Sequence, residues 1–273
     1  RRTHQMLCRG ALMKGLRTSI LILCLTSHGF AGEAPGRVVS LAPSTTQMVR
    51  SAGAGSRLAG VTPFCDAPAG IPRVPGGVLA DSEAVLGLDP DLVLCTSMTP
   101  ASTRRQLAAL GLPVEVIETP SLEAIREETR RVAGLVGAER PSTEPPPSPS
   151  PDGRTAALLF GADTGYSAGC GSHAHEILEA AGLRNIAAEA SGPWPQLGEE
   201  FLLEKDPEII IIAEYGETTR GEILAKLRAH PVRRLLRAVQ SGKVIVFPAA
   251  ALTVPGPGAL AAVPELRDSV KQP

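Results

Sequence analysis

Glu83-Ala84-Val85-Leu86-Gly87-Leu88-Asp89-Pro90-Asp91-Leu92-Val93-Leu94-Cys95 is matched further on by Glu200-Phe201-Leu202-Leu203-Glu204-Lys205-Asp206-Pro207-Glu208-Ile209-Ile210-Ile211-Ile212. In both stretches a Glu opens a turn or two of amphipathic helix. An Asp-Pro then ends it, because a residue before proline avoids the right-handed helical region. An acidic residue and four apolar residues follow, short enough for a buried strand. A unit used twice in one chain predicts two similar lobes. The fold class read from it is α/β: two three-layer lobes with mainly parallel sheets, joined by a single helix, with a ligand cleft between them.

Strand and helix patterns alternate on both sides of that repeat, which favours parallel sheets covered on both faces. Residues 37–118 form the N-terminal lobe: strands at Arg37–Leu41, Leu58–Val61, Leu92–Cys95 and Val114–Ile117, with helices at Thr46–Ala52, capped by Ser44 or Thr45, and Ser102–Gly111. Residues 119–153 connect the lobes through an amphipathic helix, Ser121–Gly137, and a Pro-rich tract, Pro141–Pro151, that cannot be helical. Residues 154–270 form the C-terminal lobe, with strands at Thr155–Phe160, Ile209–Ile212 and Lys243–Phe247. Its helices are expected from Ser172 or His173 to Ala181, at Thr219–Ala229, and from the Pro255–Gly258 turn to about Val270; Asn185–Pro195 reads as irregular and Ala249–Leu252 as a loop.

The chain has 273 residues and a net charge of −1, so no overall field selects nucleic acid or an anionic membrane. Residues 1–31 read as an export leader. Met13–Arg17 is basic, Ser19–Thr26 is a short apolar core, and Gly29-Phe30-Ala31 is a small-x-small cleavage site. The bulky Leu23 before Cys24 disfavours a lipoprotein anchor. The expected location is the periplasm. Loss of the leader would leave Cys65, Cys95 and Cys170, an odd number, so at least one thiol stays reduced or pairs between chains.

In parallel sheets, ligands sit beyond the carboxyl ends of the strands. That puts Pro43-Ser44-Thr45, Phe64-Cys65-Asp66 and Thr96-Ser97 on one rim. Aromatic residues make up only 3% of the chain, so each one outside a core position is informative. Trp194 stands between two prolines in a polar loop, where an indole is better placed against a flat ligand than in a core. Tyr166 sits in a Gly-rich loop at a strand end. His173-Ala174-His175-Glu176 is a poor metal site, since positions two apart do not share a helix face. No Gly-x-Ser-x-Gly elbow and no Gly-Lys-Ser/Thr phosphate loop is present, so no catalytic residue, metal ligand or cofactor is assigned.

Several segments together resemble the substrate-binding proteins of ABC importers for vitamin B12, haem and iron-siderophores. They are Arg37–Ser44, Gly60-Val61-Thr62, Cys65-Asp66 with Pro68, Glu83 with Asp89–Val93, Leu178–Ile186 and Ala238–Val244. Gly192–Leu197 is nearest the vitamin B12 branch. The resemblance implies a receptor, expected to be monomeric, that transforms nothing. It would hold cobalamin or another corrinoid between its lobes and deliver it to a permease. A ferric-siderophore or haem receptor is the alternative, and a two-lobed metal-dependent enzyme the third reading. The resemblance implies that Phe64 and Trp194 wall the cleft from opposite lobes, and that Glu83 and Glu200 dock on permease arginines. With Tyr166, Ser44 and Gly77, these are the expected site residues. Departures are the Pro-rich tract, Gly76-Gly77 in place of a Trp, Gln47 in place of a Glu, and no aromatic at Ala249–Leu252. A siderophore site would want several cations, of which Arg73 is one candidate.

Overall fold

The structure is a computed structural model, and it describes residues 34–139 and 153–271. The expected leader, Cys24 and the Pro-rich tract lie outside the described residues.

The N-terminal lobe is built from β1 (Val38–Ser40), α1 (Pro43–Ser51), β2 (Leu58–Val61), α2 (Ser82–Leu86), β3 (Leu92–Thr96), α3 (Ala101–Ala109) and β4 (Val114–Ile117). Helix α4 (Leu122–Leu135) follows. The C-terminal lobe contains β5 (Thr155–Phe160), α5 (His173–Ala180), β6 (Arg184–Asn185), α6 (Glu199–Lys205), β7 (Ile209–Glu214), α7 (Arg220–Ala229), α8 (Arg237–Gln240), β8 (Val244–Pro248), α9 (Ala249–Thr253) and α10 (Pro257–Lys271). The two sheets are parallel throughout and have the same topology: β2-β1-β3-β4 and β6-β5-β7-β8.

The duplication is visible at atomic detail. Asp89 and Asp206 are the only non-glycine residues with positive φ among the described residues, at 46° and 34°. The residue before each proline is thus left-handed rather than extended. It still escapes the right-handed region, and a short acidic side chain tolerates the left-handed one. An arginine caps each kink: Arg37 Nε donates to the carbonyls of Leu88 and Asp89, both at 3.0 Å, and Arg237 Nε to that of Asp206 at 2.6 Å. The acidic residue after each proline fastens the entrance of the neighbouring central strand. Asp91 Oδ2 accepts from the amides of Gly36 (2.8 Å) and Arg37 (2.9 Å), while Glu208 Oε2 accepts from Thr155 (2.9 Å).

Strand side chains alternate between two covered faces, as period-2 geometry requires. In β7, Ile209 and Ile211 enter one core and Ile210 and Ile212 the other. In β3, Leu92 and Leu94 face one side and Val93 and Cys95 the other. Helix α4 belongs to both lobes. Its first turns, with Leu122 and Ile125, are buried in the C-terminal core; Val132, and Val136 just beyond its end, are buried in the N-terminal core. A second tie joins α1 to the start of α10, where Gln47 Oε1 accepts from the Gly258 amide at 3.3 Å. A Cβ on Gly256 would stand 2.6 Å from Gln47 Oε1 and 3.3 Å from Ser44 Cα, so a larger residue would have to push the Gln47 side chain aside. The departure at Gln47 therefore lies at an interlobe contact.

Three local expectations are corrected. Helix α1 starts at Pro43 and has no side-chain cap. Of the two expected caps, Ser44 makes no cap hydrogen bond and Thr45 points its hydroxyl inward, 2.7 Å from Ser40 Oγ, which also pairs with Thr46 Oγ1 at 2.7 Å. Arg184–Asn185, at the start of the stretch read as irregular, is a two-residue edge strand. Ala249–Thr253 is a short helix, not a loop.

Candidate functional site

Both sheets change winding direction at their centre, between β1 and β3 and between β5 and β7. Loops leaving such a pair diverge and open a crevice at the carboxyl end. A cavity of ≈ 460 Å³ fills that crevice in the N-terminal lobe. Its lining includes Pro43 and Ser44 after β1, Ser97 and Met98 after β3, Thr119 after β4, and Thr253 from the other lobe. A second cavity, ≈ 390 Å³, lies at the carboxyl end of the C-terminal sheet, lined by Phe160, Tyr166, Ser167, Trp194, Tyr215 and Thr253. Thr253 lines both, so they adjoin at the junction of the lobes.

The C-terminal wall is aromatic. Trp194 is 46% exposed and Tyr215 75%. The indole packs against Phe160 and His173, with ring centroids 5.8 Å away in both cases, tilted against the first and edge-on to the second. Two loops hold it there. Ser167 N donates to Pro195 O (2.9 Å), Gly169 N to Pro193 O (3.0 Å) and Leu197 N to Gly165 O (2.8 Å). Gly169 has to be glycine, because a Cβ would collide with the Gly192 carbonyl. Tyr215 follows β7, and its hydroxyl donates to Thr253 Oγ1 at 3.2 Å. His173 beneath the indole is buried, and its Nε2 has no partner. Burial lowers its pKa, partly offset by a hydrogen bond to the Leu252 backbone.

The expected site residues divide into groups. Ser44 lines the N-terminal cavity; Tyr166 and Trp194 line the C-terminal one. Phe64 is 71% exposed and lines neither cavity. It stands beside Gly77, where a Cβ would come within 2.8 Å of Phe64 Cε2. Arg73 is engaged in holding that loop, donating to the carbonyls of Thr62, Cys65 and Ala67 at 3.3, 2.7 and 2.9 Å. Sequence reasoning missed Tyr215 and Met98, both on the rim. The scarcity of aromatics, already used for Trp194, was signal enough for Tyr215. Met98 carried no such signal.

Glu83 and Glu200 are exposed in the first turns of α2 and α6. Each helix feeds straight into a central strand and runs back against it, so its first turn lies at the carboxyl end of the sheet. Neither carboxylate has a partner among the described residues. The adjacent Glu199 differs: it receives Arg233 Nη2 at 2.7 Å and Nε at 2.9 Å. The arrangement offers apolar, aromatic and hydroxyl contacts to one bulky guest. Among the described residues no group of three or more His, Cys, Asp or Glu could hold a metal ion.

Comparison with known proteins bears on the fold and the family. The chain is 28% identical over 243 residues to a cobalamin-binding protein of Halobacterium salinarum, covering 82% of this chain and 66% of that one. It is 29% identical over 210 residues to a vitamin B12-binding protein of Pectobacterium carotovorum, covering 70% of this chain and 75% of that one. The chain thus spans just under two thirds of the archaeal relative. A periplasmic haem-binding protein of Vibrio cholerae has the same fold, with TM-score 0.75, 18% identity, and coverage of 86% of this chain and 99% of that one. The family model described as periplasmic binding protein matches residues 38–144 and 148–251, reaching across both lobes. The chain belongs to the periplasmic binding protein family.

Proposed function

We propose that the protein captures a corrinoid, cobalamin or a close relative, between its two lobes and hands it to an ABC permease, transforming nothing. The observation that carries this is the aromatic wall at the carboxyl end of the second sheet, facing the interlobe junction. Trp194 and Tyr215 leave large flat surfaces open to water, which is costly unless a flat ligand covers them. The names of the relatives favour a corrinoid. The engagement of Arg73 with backbone carbonyls argues against an anionic ferric siderophore. The two adjoining cavities, each modest alone, suit one guest that spans both lobes.

Trp194 is the sole tryptophan, so its emission reports directly on the wall. Titration with cobalamin is expected to quench it saturably, and cobinamide to compete. Haem is the second arm. Quenching by haem alone would move the ligand class, and quenching by neither would overturn the receptor reading.

Glu83 and Glu200, one per lobe, are the proposed docking points for permease arginines, since paired carboxylate–arginine contacts orient two surfaces. Charge reversal at both, Glu83→Arg with Glu200→Arg, should leave the titration unchanged and abolish uptake by vesicles carrying the co-expressed permease. Uptake at the wild-type rate would remove these residues from the interface.

A further inference from the structure

A third cavity, ≈ 310 Å³, adjoins the aromatic wall at Tyr215. It lies at the carboxyl ends of β7 and β8, and Glu214, Gly216, Val246 and Phe247 are among its lining. Tyr215 is common to this cavity and the C-terminal one, as Thr253 is common to the C-terminal and N-terminal ones. The three therefore run on from one another across the lobe junction.

The charged lining of that row is of one sign. Glu118, just after β4, lines the N-terminal cavity, and Glu214, at the end of β7, lines the third. Among the described residues no Lys, Arg or His lines any of the three. Glu118 is exposed and has no partner among the described residues. Glu214 is half-buried. Its Oε1 accepts from the amides of Tyr215 (3.1 Å) and Gly216 (3.2 Å), and its Oε2 has no partner among the described residues. Cations of the same lobe are engaged elsewhere: Arg220 donates to the carbonyls of Val244 (2.8 Å) and Gly242, and Lys226 stands 3.6 Å from Asp163. A neutral polar group completes the row. Ser167 is fully buried and lines the C-terminal cavity, and its Oγ has no partner among the described residues.

This lining discriminates between guests of one size by their charge. A carboxylate on the guest would meet carboxylates in a half-enclosed site, where water screens charge poorly. A primary amide meets no such penalty. Its N–H can donate to Glu118 or Glu214, and either of its ends can pair with the Ser167 hydroxyl, which is costly to leave unpaired. Corrinoids carry side-chain amides around the ring, whereas haem carries two carboxylates. Taking the guest to be a corrinoid, as in the function proposed above, we propose that Glu118 and Glu214, one from each lobe, are specificity-determining residues. They admit a guest whose rim is amidated and reject the same guest when a rim amide has become a carboxylate, and Ser167 pairs with a guest amide.

The test titrates the full chain with cobalamin and, separately, with each singly hydrolysed cobalamin, in which one side-chain amide has become a carboxylate. Trp194 emission is the readout. In low salt at least one isomer should bind roughly five- to tenfold more weakly than cobalamin, the effect of one added charge several ångströms from a carboxylate. Salt at about 0.5 M should narrow the gap. Glu118→Gln combined with Glu214→Gln keeps both shapes, removes both charges, and should bring the ratio of the two affinities to within about twofold. The ratio decides, because a role for Glu214 confined to holding the Tyr215 and Gly216 amides would move both affinities together. The proposal is overturned if every isomer binds the wild type within about twofold of cobalamin. A gap indifferent to salt, a gap that persists in the double variant, or haem bound as tightly as cobalamin would overturn it equally. In each of these outcomes cobalamin still binds, so the receptor reading stands; binding of no corrinoid at all would remove both. The wild-type comparison across isomers and salt needs no variant to fold.

Discussion

Replacing Trp194 by alanine separates the covered from the open part of the indole. The covered part packs against Phe160 and His173. The residue remains 46% exposed. A flat ligand can cover on the order of 100 Å² of it, about 2.5 kcal/mol at ~25 cal/mol per Å². Neighbouring Tyr215 and the retained Cβ recover part of that on truncation, leaving a loss of about 1–2 kcal/mol, or roughly 5- to 30-fold in Kd. The covered part should cost about 1–2 kcal/mol of fold stability, a fall in Tm of roughly 2–6 °C. Calorimetric titration with cobalamin measures the first effect without needing the lost fluorophore; thermal unfolding measures the second. Trp194→Phe, which keeps a ring, should recover most of the affinity. The reasoning fails if Trp194→Ala binds within about twofold of wild type while its Tm falls as expected, because the indole would then only plug its own lobe.

Other residues give sharp expectations. Arg233, only 3% exposed, meets Glu199 and the Ala162 carbonyl. Arg233→Ala should lower the urea unfolding free energy by about 2–4 kcal/mol, and Glu199→Gln by less, since that carboxylate is one third open. His173 is held below its ordinary pKa by burial. Its neutral form belongs to the fold, so its contribution is complete above pH ~6.5 and is lost as pH falls toward the depressed folded value. Unfolding midpoints should therefore drop as pH falls below about 6.5, and His173→Phe should flatten that slope. Gly256→Val should drive Gln47 away from α10 and weaken cobalamin binding more than it weakens either lobe's fold, measured by titration beside urea unfolding.

Much of the architecture could be read from the doubled Asp-Pro segment, because helix termination and a run of four apolar residues are local properties. The same locality explains what escaped. Strand β6 has two residues, too few to show a period. Ala249–Thr253 has no capping residue and no polar face, so nothing in it announced a helix. Thr45 looked like a cap, as Ser44 did, but Ser40, five positions earlier, gives its hydroxyl a buried partner. The contact between Gln47 and Gly258 joins residues 211 positions apart and leaves no trace in either neighbourhood. Ser44, Tyr166 and Trp194, which line the two cavities, could be singled out because strand ends and lone aromatics can be recognised one at a time. Which of them share a cavity depends on how the lobes meet.

Helix α4, anchored at one end in each core, works as a calliper set once, when the chain folds. Widening the jaws would mean drawing Leu122 and Ile125 out of one oily seat or Val132 and Val136 out of the other. If the guest sits between the lobes as proposed, this preset spacing is expected to favour cargo of one girth.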